Sequence, residues 1–259
     1  MKIFIKFIAL LLLMNLAHAE IKTQAIEYQS EGQSYTGYLA YDDSLTGKRP
    51  GVLVVHEWWG LGDNEKRRAR MLAELGYVAF VVDMYGTGKL TDKPEQAKAW
   101  MQEVTTDVQW WRERAENGIK QLLKQSNVDK QNIAAIGYCF GGGTVLNMAY
   151  GTSDLKGVVS FHGSLPIPGK ESYGKINPRI LLAHGNADSF VPRDIVNKFQ
   201  LTMDEADAKW EMITYGNVRH SFTNPQADSR GIEALKYDPY ADAHSWKAMQ
   251  IFLSSVFTL

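Results

Sequence analysis

Residues 132–150 read NIAAIGYCFGGGTVLNMAY, and this stretch decides the fold. Residues 132–137 are a short apolar run of strand type, and residues 141–150 carry a helical pattern. Between them Gly137-Tyr138-Cys139-Phe140-Gly141 leaves room only for a tight strand-to-helix turn, the setting of a G-x-nucleophile-x-G elbow. The residue types follow from that geometry. A side chain at the tip of such a turn takes strained backbone angles, and glycines two residues to either side let the chain pass close to itself. The thiol of Cys139 then stands at a helix N-terminus, where unpaired N–H groups and the helix dipole favour a thiolate. The N–H of Phe140 points to where a carbonyl oxygen would gain charge. Taken alone, the string also fits a buried core cysteine, so the rest of the chain has to decide.

Outward from this turn, strands and helices alternate. Residues 51–56, 77–83, 157–162, 179–184 and 209–215 read as strands, and residues 64–75, 193–206 and 242–257 as helices. Residues 93–124 are helical with a break at Val104-Thr105-Thr106. Continuous apolar strands alternating with helices predict an α/β fold, a mostly parallel sheet covered on both faces. Residues 23–29 and 34–41 alternate in polarity around Glu31-Gly32 and predict an antiparallel hairpin at the N-terminal edge of that sheet. Residues 163–177, rich in Pro and Gly, form the longest irregular piece and are expected to line a pocket. With no internal repeat or linker, residues 20–259 are expected to form a single domain. The basic cluster Lys66, Arg67, Arg68 and Arg70 lies beside Glu65 and Glu74 in a helical pattern and is expected to be a solvated helix face.

Partners for Cys139 appear in the order nucleophile, acid, histidine that this architecture uses. Asp188 ends the stretch Ala183-His184-Gly185-Asn186-Ala187-Asp188, just past one strand, and His220 follows the next strand in Arg219-His220-Ser221-Phe222. Both fall outside strand C-termini, where open α/β sheets gather their sites. In such a set Cys139 attacks a carbonyl, His220 accepts and returns the proton, and Asp188 orients the imidazole. A thiolate is also a good leaving group, so the adduct goes forward to an acyl-enzyme most readily when an enolate, activated alkoxide or thiolate departs. Activated esters, lactones and thioesters are therefore expected ahead of amides.

These stretches resemble the dienelactone hydrolase family of α/β-hydrolases over nearly the whole mature length. The resemblance is carried by His56-Glu57-Trp58-Trp59-Gly60, Asp83-Met84-Tyr85, Gly137–Gly142, Ser160-Phe161-His162-Gly163, His184–Asp188 and His220-Ser221-Phe222. It implies the α/β-hydrolase fold, a carboxylic ester or lactone as the small-molecule substrate, a supporting role for Glu57 in activating the thiol, and the backbone N–H of Trp58 as second oxyanion donor beside that of Phe140. Family members acting on dienelactone bind its carboxylate with arginines. Here Gly86-Thr87-Gly88-Lys89 and Thr223-Asn224 stand at those places. A lysine lacks the planar bidentate fork of arginine, which argues against dienelactone itself. Trp58, Trp59 and Tyr85 suggest an apolar, aromatic pocket instead.

Composition sets the outer limits. Hydrophobic residues make up 45% of the 259 and charged residues 22%, enough apolar material for a large core. The formal charge of −1 gives no electrostatic footprint for nucleic acid. The first residues, MKIFIKFIALLLLMNLAHAE, combine Lys2 and Lys6 with an apolar run over 8–14 and a small-x-small site at Ala17-His18-Ala19. Residues 1–19 are thus expected to be a signal peptide cleaved after Ala19, with export to the periplasm. The run falls short of the roughly 20 apolar residues that cross a bilayer, so no span is expected in the mature form. The single cysteine rules out an intrachain disulfide. His56, His162, His184 and His220 have spacings that match no compact ligand motif, and Gly141-Gly142-Gly143 lacks dinucleotide spacing, so neither a metal nor a cofactor is expected. An exported binding protein or a thiol redox protein on the same scaffold are the alternatives. The first is marked by loss of a triad residue and the second by a resolving cysteine, and the sequence has neither feature.

Overall fold

Strands β1 (Ile21–Ser30) and β2 (Gln33–Asp42) form the expected antiparallel hairpin. Its turn passes through Glu31 and Gly32, both at positive φ, as a two-residue hairpin turn of the primed type requires. The chain continues as β3 (Arg49–Val55), α1 (Asp63–Glu74), β4 (Val78–Val82), α2 (Pro94–Thr105), α3 (Val108–Leu123), β5 (Val128–Tyr138) and α4 (Phe140–Ala149). It ends with β6 (Gly157–Phe161), β7 (Arg179–Gly185), α5 (Arg193–Glu205), β8 (Trp210–Tyr215) and α6 (Pro239–Val256). The computed structural model describes residues 20–151 and 154–257, and the expected signal peptide over residues 1–19 lies outside them.

The strands form one eight-stranded sheet in the order β1-β2-β4-β3-β5-β6-β7-β8. β2 pairs antiparallel with β4, and every pairing from β4 through to β8 is parallel. Every residue of β3, β4 and β6 is buried, which is why apolar residues follow one another along them, broken only by Arg49 and Ser160, rather than alternating. Successive residues still face opposite ways. Leu53, Val55, Phe80 and Val82 pack with α3, α4 and α5, whereas Val52, Val54, Ala79 and Val81 pack with α1 and α6. Each such valine, leucine or phenylalanine side chain contributes about 1.5–3 kcal/mol of burial. β1, at the edge, keeps most of its residues exposed or half-exposed.

The break expected in the long helical stretch falls between α2 and α3, where Asp107 caps α3 by accepting from Trp110 N at 2.8 Å. Two expectations need correction. The closing helix begins at Pro239 behind an Asp238 cap, not at Asp242, which lies inside its first turn and is buried. Nor is the basic cluster on α1 wholly solvated. Lys66, Arg67 and Arg70 are half-buried, but Arg68 is 1% exposed and Glu65 is 3% exposed. Arg68 forms an ion pair with Asp242 across the interface of α1 and α6. An inward arginine survives there because a carboxylate compensates its charge. No helix among the described residues is long and apolar enough to cross a membrane.

Candidate active site

The C-terminal ends of β3, β5, β6, β7 and β8 point to one side of the sheet, and the loops leaving them converge there. At the end of β5, Cys139 sits at the N-terminus of α4 with φ 54° and ψ −115°. Its neighbours explain how a non-glycine residue holds this left-handed angle. A Cβ on Gly137 would lie 2.0 Å from the Gly141 carbonyl oxygen, and one on Gly141 would lie 2.2 Å from that of Val55. Both approaches are backbone against backbone, so no rotamer relieves them. Cys139 N donates to Phe161 O at 3.0 Å, and Gly142 N donates to Cys139 O at 3.0 Å. The sulfur is left half-buried at the tip.

Asp188 and His220 meet as the chain order implied. His220 Nδ1 lies 2.6 Å from Asp188 Oδ2, and Phe190 N donates to Asp188 Oδ1 at 2.9 Å. Both side chains are buried. Burial alone would lower the His220 pKa. The negative charge of Cys139, the hydrogen bonds with Asp188 and Cys139, and the Asp188 charge outweigh it and push the imidazole up to about 10. A short parallel bridge to Leu235 fixes the backbone of His220, with His220 N donating to Ala234 O at 3.2 Å and Lys236 N to His220 O at 3.0 Å. That partner segment is not legible in the sequence, because its few residues have no strand period of their own.

Glu57, just beyond β3, is 1% exposed, with both carboxylate oxygens engaged by the loop that follows His220. Ser221 Oγ donates to Oε1 and Asn224 Nδ2 to Oε2, each at 2.5 Å. Asn224, one of the two residues standing where the resemblance implied a carboxylate-binding arginine, thus puts a neutral amide against the Glu57 carboxylate. Ser221, at φ 57°, and Asn224 were legible only as neighbours of His220.

Cys139 and His220 both line a cavity of about 520 Å³, together with Trp58, Trp111, Leu165, Phe190, Ile195 and Leu235. Phe140 contributes to the wall, and Ser164, Leu165 and Pro166 come from the irregular stretch expected to do so. Among the described residues, no Asp, Glu, Lys or Arg side chain lines it. Trp59 and Tyr85, expected around the pocket, instead sit one layer behind it. Trp59 is buried under Arg230, and Tyr85 stacks on Phe140 and donates from its hydroxyl to Trp58 O at 3.1 Å. Lys89 lies over the Trp100 ring and lines a separate surface hollow.

His56 and His162 have local partners. His56 Nε2 accepts from Met84 N at 3.1 Å, and His162 Nε2 is hydrogen-bonded to Thr223 Oγ1 at 2.8 Å. Burial lowers the pKa of His56 and holds His162 well below the ordinary histidine value, reinforced for His162 by the charge of His220. Among the described residues, no group of three or more His, Cys, Asp or Glu side chains is arranged to hold a metal ion.

Known proteins align with this geometry. The profile of the Dienelactone hydrolase family matches residues 35–257. A solved dienelactone hydrolase-like promiscuous phosphotriesterase from metagenomic libraries is 34% identical, with a TM-score of 0.89 over 93% of this chain and 100% of that one. A putative carboxymethylenebutenolidase of Aquifex aeolicus is 26% identical over 86% of this chain and 94% of its own. A probable 2-oxo-3-(5-oxofuran-2-ylidene)propanoate lactonase of Bradyrhizobium is 23% identical over 88% and 92%.

Proposed function

The chain belongs to the dienelactone hydrolase family and is an ester or lactone hydrolase, and from that premise we propose that it works through Cys139, His220 and Asp188 by way of an acyl-enzyme. One observation carries the reading. Cys139 at a left-handed backbone angle and the His220–Asp188 pair at 2.6 Å meet at the wall of one apolar cavity.

The protonation of His220 sets the starting state. With its pKa pushed up to about 10 by Cys139 and Asp188 against the effect of burial, the imidazole carries the shared proton at neutral pH. The sulfur attacks the substrate carbonyl carbon, and the electron pair of the C=O bond moves onto oxygen. The N–H groups of Trp58 and Phe140 receive that oxyanion. The adduct collapses as the C–O bond to the leaving group breaks, and His220 delivers its proton to the departing oxygen. A thioester on Cys139 remains. Neutral His220 then takes a proton from water, the hydroxide adds to the thioester carbonyl, and collapse expels the sulfur with the carboxylic acid product. Asp188 holds the ring in the tautomer that faces Cys139 throughout. Glu57 supports the set by gripping Ser221 and Asn224, the loop on which His220 rides.

The cavity also bears on the substrate. Among the described residues its walls offer apolar contact and no lysine or arginine, so uncharged activated esters, lactones and thioesters fit it better than substrates bearing a carboxylate. Hydrolysis of p-nitrophenyl acetate, a neutral lactone, dienelactone and an acyl thioester tests the reading, with Cys139→Ala and His220→Ala beside wild type. The expected result is turnover of the neutral substrates that both variants lose. Retention in Cys139→Ala, or efficient cleavage of peptide bonds by the pure protein, would overturn it.

We propose in addition that the mature enzyme begins at Glu20 after export, on the strength of the basic, apolar and small-residue segments of residues 1–19. N-terminal sequencing of protein recovered from the periplasm is expected to start at Glu20, and an intact Met1 there would refute export by cleavage.

A further inference from the structure

Helix α1 buries three polar side chains, Asn64, Glu65 and Arg68, and the last two, three residues apart, carry its buried charges. Each of these two reaches a different loop of the site. Glu65 Oε1 accepts from Glu57 N at 3.4 Å and Oε2 accepts from Gly62 N at 3.0 Å, so this carboxyl spans both ends of the loop that bears Trp58. Arg68 Nη2 donates to Thr223 O at 2.7 Å and is paired with Asp242. Its guanidinium also lies over the rings of Trp246, at 5.0 Å, and Tyr138, at 5.7 Å, the latter adjacent to Cys139. Thr223 is held from its other side by His162.

We infer that Glu65 and Arg68 are positioning residues, a two-armed brace on α1 that sets the Trp58 loop and the His220 loop against each other across Cys139. The inference rests on the proposed roles of those loops. Neither residue touches the cavity, so each acts through what it holds. The two arms do different things. Loss of the Glu65 arm loosens the loop presenting the Trp58 N–H, and kcat falls with little change in KM or in the pH profile. Loss of the Arg68 arm frees Thr223 O and lets the loop after His220 shift, so that the imidazole meets Cys139, Asp188, His162 and His184 at altered distances. A displacement near 1 Å costs about 100-fold in rate at a well-oriented site.

Glu65 also accepts from Gly62 N at the start of α1, the one half of a capping box that a glycine N-cap permits, so a purely structural role has to be separated from a positioning one. Replacing a buried ion pair by apolar residues is often neutral for stability, which makes Arg68→Met with Asp242→Leu the informative variant. Its melting temperature is expected to stay near wild type while kcat on a neutral activated ester falls about 10- to 100-fold. Its pH profile of kcat/KM is also expected to move. Arg68→Lys, which keeps the charge and one donor, should recover part of the rate, and it carries the test if the double variant does not fold. The pH dependence of Cys139 alkylation is measured in parallel and needs no turnover. A wild type that hydrolyses no ester would therefore sink the hydrolytic mechanism and leave the brace testable. Unchanged kcat and an unchanged alkylation profile in a folded Arg68 variant would overturn the brace.

Discussion

The elbow around Cys139 and the loop around His220 hold their residues by opposite means. At the elbow the backbone constrains itself, because Gly137, Gly141 and the end of β3 approach so closely that no side chain fits between them. At the His220 loop a backbone bridge holds His220 itself, and the residues after it are held by side chains from elsewhere. Glu57 grips Ser221 and Asn224, Arg68 grips Thr223 O, and His162 grips Thr223 Oγ1. A turn built from local sterics is rigid and is written in consecutive residues. A loop tied from three distant elements is adjustable, and it depends on the protonation of the groups that tie it.

The largest expected effect breaks the elbow. Gly137→Ala places a Cβ against the Gly141 carbonyl and is expected to lower stability by about 3 kcal/mol, since overpacking against backbone finds no rotamer to relieve it. Urea unfolding measures this, and a loss below roughly 1 kcal/mol would mean that the elbow is softer than its geometry implies. A smaller effect sharpens the contrast from the other side. His162 stays neutral in the fold because burial, then the charge of His220, holds it well below 6.5. The unfolded chain takes up a proton there below pH 6.5 and the folded chain does not, so stability falls as pH falls. This one group contributes about 1.4 kcal/mol per pH unit at most. The unfolding free energy of His162→Gln, followed from pH 7 to 5, is expected to fall less steeply than that of wild type. Equal slopes would show that His162 does not make the loop acid-sensitive.

The same contrast explains what was legible in the sequence. The strands are legible because β3, β4 and β6 are buried along their whole length and read as nearly continuous apolar runs. The elbow was found because its constraints are Gly137 and Gly141, two residues either side of the tip. The alignment of Asp188 with His220 followed from strand order alone. The brace on α1 was misread for a physical reason. The inward positions of that helix are Asn64, Glu65, Arg68, Ala69, Leu72 and Ala73, so its buried stripe is polar as far as Arg68 and apolar only from Ala69 onward. Hydrophobic periodicity has nothing to register in the first turn, and a paired inward arginine looks like a solvated one. Trp59 and Tyr85 show a related limit. Large aromatics beside a site serve equally as wall or as backing, and only the three-dimensional order of layers separates the two.

Cys139 is the chain's only cysteine, and it stands half-buried at the tip of the elbow. Any thiol reagent therefore reports on this position alone. The moles of label taken up per mole of protein count the molecules whose sulfur is still reduced, and material oxidised during preparation shows as a shortfall in that ratio. Rates can then be expressed per intact thiol rather than per chain, which makes preparations of different age directly comparable.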